Sequence, residues 1–195
     1  MPHTPVPADE LSARLSRLRR AMSERDPAWS MMLLDNKIDL YYLTGTMQEG
    51  ALVVTPDEAA LFVRRSFDCA QRESLFPDIR PIGSFRGIAE AFPHIPETVY
   101  VAARTMTLQK LTLLQKHLPF TPKPADDVLS GLRAVKSEYE LSCMRRAGKL
   151  HQLVIEEVAP VLLRPGISEA RLCSEICTCM LDRGAMGISR FNQPT

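Results

Sequence analysis

Three thiols stand within seven residues near the carboxyl-terminal end of the sequence: Cys173, Cys177 and Cys179. Thiolates are soft metal ligands and strong nucleophiles, so their spacing decides what chemistry they could share. On a helix, positions four apart lie on one face, which groups Cys173 with Cys177 and turns Cys179 away from both. The C-x-x-C pairs of structural zinc sites are missing. The spacing therefore predicts small buried thiols on an amphipathic helix rather than a metal site. Cys69 and Cys143 bring the count to five, an odd number that suits a reducing compartment better than a disulfide framework.

The other chemistry-bearing residues are scattered. His3, His94, His117 and His151 stand far apart, with neither H-E-x-x-H nor H-x-H spacing. His3 lies near the terminus, His94 in the loop "FPHIP", and His117 at a helix end, where a cation complements the dipole. His151 falls on an apolar helix face and is expected to be buried and hydrogen-bonded. Asp9-Glu10, Glu138, Glu140 and Glu169 flank helix starts, which capping and dipole effects already explain, and Glu156-Glu157 reads as a solvated face. No G-x-G-x-x-G, G-x-x-x-x-G-K-[ST] or G-x-S-x-G occurs, so phosphate cradling and a serine nucleophile elbow lack support. No catalytic, cofactor-binding or metal-ligating residue is assigned.

The elements that would position any site alternate between helix and strand. With Asp9 as the expected N-cap, Leu11, Leu15, Leu18 and Met22 form an amphipathic helix ending before Pro27. "WSMMLLD" reads as a buried strand, and Ile38–Leu43 as a helical turn closed by Gly45. "GALVVTPDEAALFV" reads as a hairpin about Thr55–Glu58. A helix over 66–76, a strand over 80–82, a helix over 88–92, the strand "TVYVA" and a helix over 108–117 follow. The three prolines of "PFTPKPADD" then interrupt the pattern.

Beyond them Val128–Ala134 reads as a short helix. Ser137 and Glu140 form an S-x-x-E capping box for a helix from Glu138, whose apolar stripe runs through Leu141, Met144, Gly148, His151, Ile155 and Val158. Pro160 disfavours regular continuation. After the Pro165-Gly166 turn, Ser168 is placed to cap a helix that carries Leu172, Ile176, Cys179 and Met180 and stops at Gly184.

Lysine and arginine exceed aspartate and glutamate by one, and the basic residues are dispersed apart from short pairs. No footprint for nucleic acid or an anionic membrane surface appears. No run is apolar enough to span a bilayer and no leader pattern opens the sequence, which reads as cytoplasmic.

Four segments occur in an order that resembles the creatinase, aminopeptidase P and prolidase family. They are "DNKIDLYYLTG", the hairpin followed by Arg64-Arg65, "LRAVKSEYELSCMRRAG" and "LRPGISEARLCSEI". The most specific is L-R-x-x-K-S-x-x-E-x-x-x-M-R-x-A, carried by Leu132, Arg133, Lys136, Ser137, Glu140, Met144, Arg145 and Ala147.

The resemblance implies an α/β creatinase-like N-terminal domain over 1–124, a mixed sheet flanked by helices. A linker over 125–137 and, over 138–195, the first two helices of an incomplete pita-bread α+β catalytic domain would follow. In such a family two divalent metal ions, manganese, cobalt or zinc, activate a hydroxide that attacks the bond preceding proline. Their ligands, two aspartates, one histidine and two glutamates, would lie on segments later than Thr195. The chain by itself is then expected to hold no cofactor and to be inactive. "SRFNQPT" stops in mid-pattern, which favours truncation.

The resemblance further implies a proline-containing peptide as the parent's substrate. Apolar stripes left without a sheet lead to an expected homodimer. A creatinase-like C–N hydrolase fragment and a standalone binding or oligomerisation module are the alternatives.

Overall fold

The computed structural model describes residues 4–185 and divides into two compact units, one ending at Val135 and one beginning at Lys136. His3 and "SRFNQPT" lie outside the described residues.

In the first unit α1 spans Ala8–Arg25. Its N-cap is Pro7, in polyproline-like backbone (φ -55°, ψ 143°) and without a side-chain cap, and not Asp9 as the sequence suggested. Pro7 presets a suitable φ and has no N–H to satisfy, so Asp9 moves into the first turn, where its charge meets the positive helix end. Leu11, Leu18 and Met22 are buried, and Arg14 is buried with them. That guanidinium donates to Glu10 Oε1 at 2.6 Å and to the Tyr42 carbonyl at 2.8 Å, and lies over the Tyr42 ring.

Strand β1 (Met32–Leu34) leads into α2 (Lys37–Thr44), which closes at Gly45 with φ 78°. The hairpin β2 (Gly50–Val54) and β3 (Ala59–Val63) turns on Thr55, whose Oγ1 accepts from Glu58 N at 3.0 Å. Helix α3 (Phe67–Glu73), β4 (Ile79–Pro81), α4 (Arg86–Ala91), β5 (Thr98–Val101) and α5 (Leu108–Gln115) continue the alternation. The strands form one mixed sheet ordered β4-β3-β2-β1-β5-β6, with β6 at Thr121–Pro124. β2 is antiparallel to β1 and β3, and the other three pairings are parallel.

Leu33, Ala51, Val53, Ala60, Phe62, Val99 and Val101 pack with Phe85, Ile88 and Phe92 of the α4 region and Leu114 and Leu118 of the α5 region. The alternate residues Met32, Leu34, Leu52, Val54, Leu61, Val63 and Tyr100 are equally buried and face the other side. Tyr100 donates to Asp26 at 2.5 Å and its ring lies under Arg25, which places α1 on that side. Burial on both faces explains why these strands read as continuous apolar runs rather than alternating ones.

The proline-rich segment is the clearest departure from the sequence reading, because it supplies the edge strand β6 instead of interrupting the pattern. In its parallel pairing with β5, Thr121 N donates to the Glu97 carbonyl and Ala125 N to the Val101 carbonyl. Pro122 and Pro124 occupy the positions between, whose missing N–H groups would point away from the sheet at its edge. Helix α6 (Asp126–Ala134) follows and packs on α1.

The second unit opens with α7 (Glu138–Leu153), and both halves of the expected capping box form: Ser137 Oγ accepts from Glu140 N, and Glu140 Oε2 accepts from Ser137 N. The chain then widens into a π-helical segment, Val154–Val158, before α8 (Ala159–Leu162). Ala159 N reaches back five residues to the Val154 carbonyl. That wider turn carries the helix past Pro160, whose ring would collide with the carbonyl of an ordinary preceding turn. Helix α9 (Glu169–Asp182) is capped by Ser168, and Gly184 follows it with φ 92°.

Candidate functional site

Strands β1 and β5 run parallel as neighbours, yet the chain leaves β1 toward β2 and leaves β5 toward β6 on the opposite side. Their carboxyl ends therefore form a topological switch point, the place where open α/β sheets offer a crevice to ligands. One polar cluster of the first unit lies there, built on Asp35, Asn36, Asp39, Lys110 and Arg133.

Asp35 and Asn36 leave β1. Asp35 is buried; its Oδ2 accepts an ion pair from Lys110 of α5 at 2.8 Å, while its Oδ1 is buried without a hydrogen-bond partner. Asn36 caps α2, its Oδ1 accepting from Ile38 N and Asp39 N at 3.0 Å each. Its Nδ2 donates to Asp39 Oδ2 and, at 3.1 Å, to Thr105 Oγ1 in the loop after β5. The same loop is anchored from α6, where the Asp126 carboxylate accepts from Ala103 N at 3.1 Å and Arg104 N at 3.0 Å.

Asp39 is the buried centre of this cluster, with Arg133 of α6 donating to its Oδ1. Burial pushes its carboxyl above the usual range, and Arg133 and the Asn36 amide pull in the opposite direction. Tyr42 of α2 also donates to the Leu132 carbonyl at 3.1 Å. The cluster thus clamps α2, α5, α6 and both switch-point loops together through charge-assisted bonds in a poorly hydrated place. Its chemistry is positioning: carboxylates and cations of this chain hold one another, with no serine, cysteine or histidine nucleophile among them.

Sequence reasoning missed Asp35, Asp39 and Lys110, and saw Arg133 only as part of a pattern. Asn36 before a helical turn with Asp39 three residues on was a readable capping signal. That Asp39 would be buried against a residue 94 positions away was not.

The residues weighed from sequence lie elsewhere. His94 and His151 are exposed and His117 is half-buried, so the expected burial of His151 is overturned. Its helix has no buried residue, so the apolar stripe that should have covered the imidazole covers nothing within α7. The thiols are likewise not buried: Cys173 is exposed and Cys69, Cys143, Cys177 and Cys179 are half-buried. Among the described residues no three His, Cys, Asp or Glu stand together to hold a metal ion, so the two-metal centre that the resemblance implies has no ligand set there. Among them, too, no helix is long and apolar enough to cross a membrane.

This mixed sheet flanked by helices is the fold of a creatinase-type amino-terminal domain. The family model for the Creatinase/Prolidase N-terminal domain matches residues 14–135, more than half of the chain, and the chain belongs to that family. Solved structures share its fold. An Xaa-Pro dipeptidase from Bacillus anthracis superposes with a TM-score of 0.79 at 19% identity, covering 91% of this chain and 50% of its own. Prolidase from Pyrococcus furiosus gives 0.77 at 22% identity, with 89% and 54% covered. The aminopeptidase P from Streptococcus thermophilus gives 0.52 at 18%, covering 63% of this chain and 98% of that one. The chain spans about half the length of the first two. No curated protein matches it.

Proposed function

We propose that the chain is the amino-terminal, non-catalytic portion of a metal-dependent Xaa-Pro exopeptidase of the aminopeptidase P or prolidase type, acting in the cytoplasm. The parent would hydrolyse the bond preceding proline with two divalent ions, manganese, cobalt or zinc, held by segments that follow this chain. The observation that carries the reading is the extent of the likeness. The family model ends at residue 135, whereas the shared fold with the Bacillus anthracis Xaa-Pro dipeptidase covers 91% of the chain and so reaches into the helical unit.

The test compares residues 1–195 with the complete reading frame, each supplied with manganese and an Xaa-Pro dipeptide. Hydrolysis is expected from the complete protein and none from residues 1–195. Chelator-sensitive hydrolysis by residues 1–195, or an inactive complete protein, would overturn the reading.

In this reading the chain serves oligomerisation and the walling of an active site, and residues 1–195 form a homodimer. Helices α7 and α9 have no buried residue, and Met144, Ile155, Val161, Leu163 and Leu181 of the second unit are each more than half exposed. Exposed apolar area of this kind marks an interface, and a two-fold contact between like helices satisfies both copies at once. Light scattering is expected to report a dimer for residues 1–195 and a monomer for residues 1–135. Monomers in both would sink the association.

A further inference from the structure

We propose that Cys173 and Cys177 form a two-sulfur site for a soft divalent cation of tetrahedral preference on the surface of α9. The helix is capped by Ser168 and unbroken through both positions, and spacing four sets the two side chains on one face. Their sulfurs stand 4.0 Å apart. Two thiolates on a tetrahedral zinc-sized ion, each at about 2.3 Å, are separated by about 3.8 Å, so the pair needs almost no rearrangement to chelate.

A disulfide is a much poorer fit. It requires sulfurs about 2.0 Å apart and Cβ atoms about 3.8 Å apart, whereas helical neighbours at this spacing hold their Cβ atoms about 5–6 Å apart. Oxidation would have to break the helix, and chelation would not.

Access agrees with the geometry, and protonation sets the pH at which it is used. In the single chain Cys173 is exposed and Cys177 half-buried, and both lie beside rather than on the α9 face that carries Leu172, Ile176 and Met180, so an ion reaches them from solvent and water completes its coordination. The hydrogen bond between the two sulfurs, and their mutual repulsion once charged, push the Cys177 thiol up. Binding therefore displaces both protons, M²⁺ + 2 RSH giving M(SR)₂ + 2 H⁺, and strengthens as pH rises. Cys179 is engaged instead by Arg183, which donates to its sulfur at 2.9 Å and to its carbonyl at 3.1 Å. The site is independent of the peptidase reading, because its ligands are thiols of this chain.

Cadmium added to the reduced chain of residues 1–195 is the probe, followed by sulfur-to-cadmium charge-transfer absorption and by proton release. One cadmium per chain and two protons per cadmium are expected. The band should disappear in Cys173→Ser and in Cys177→Ser, and persist in Cys179→Ser and Cys69→Ser, with helix content by circular dichroism unchanged in all four. A band that survives loss of either Cys173 or Cys177, that is lost with Cys179, or that saturates at one cadmium per two chains overturns the proposal.

Discussion

Replacing Arg133 by Gln is expected to destabilise the first unit by about 2–3 kcal/mol at pH 7, and by under about 1 kcal/mol at pH 3.5. Removing one partner of a fully buried ion pair costs about 3–5 kcal/mol. The Arg133 side chain is 33% exposed while that of Asp39 is only 4% exposed, so solvent screening lowers the figure.

The pH dependence follows from Asp39. Its pKa is raised from the ordinary 3.8, chiefly by burial, so the folded state binds its proton more tightly than the unfolded state does. The stability linked to that proton is fully present below 3.8 and is lost as pH rises through the raised folded value. Without Arg133 the folded value climbs further, which deepens the loss at neutral pH and leaves the acid limb, where Asp39 is neutral in both states, nearly untouched. Denaturant titrations of both proteins at the two pH values measure it. The Asp39→Asn change placed in the Arg133→Gln background should restore part of the pH 7 loss. An equal difference at both pH values would show that Arg133 acts by packing alone.

Gly50→Ala is expected to cost about 3 kcal/mol or more, at or beyond the upper end for overpacked interiors. A Cβ on Gly50 would lie 2.0 Å from the Phe62 carbonyl oxygen and 3.1 Å from Val63 Cα. Both atoms belong to the backbone of β3, and Gly50 is itself paired with Val63, so no side chain can swing aside to relieve the clash. The two strands must separate at the open end of their ladder, between two interior strands of the sheet. Gly83→Ala is the control, because a Cβ there meets nothing within 4 Å, and a change within about 0.5 kcal/mol is expected. Chemical denaturation of the two variants beside the parent decides it; similar midpoints for all three would show that β2 and β3 are not packed as described.

The sequence by itself determined the elements whose causes are local. Ser137 with Glu140, Ser168, and Gly45 at the end of α2 satisfy or terminate a helix through groups within a few residues, so their signals survive without tertiary context. The hairpin about Thr55 was legible for the same reason, and the four resembling segments carried the family.

Only the tertiary structure decided the rest. Pro122 and Pro124 look like a break until β5 lies alongside and needs donors only from the residues between and beyond them. His151 and Cys173 sit on or beside apolar helix faces, yet a face says nothing of whether anything packs against it, and both are exposed. Asp39 and Arg133 are ordinary surface residue types in the sequence. What makes them a clamp is the meeting of α2 and α6 at the carboxyl ends of β1 and β5, where burial raises the cost of a carboxylate and the guanidinium offsets it. Local hydrogen bonding is written in short spacings, whereas burial and pairing belong to residues far apart in the chain, and that separation divides what the sequence determined from what the fold decided.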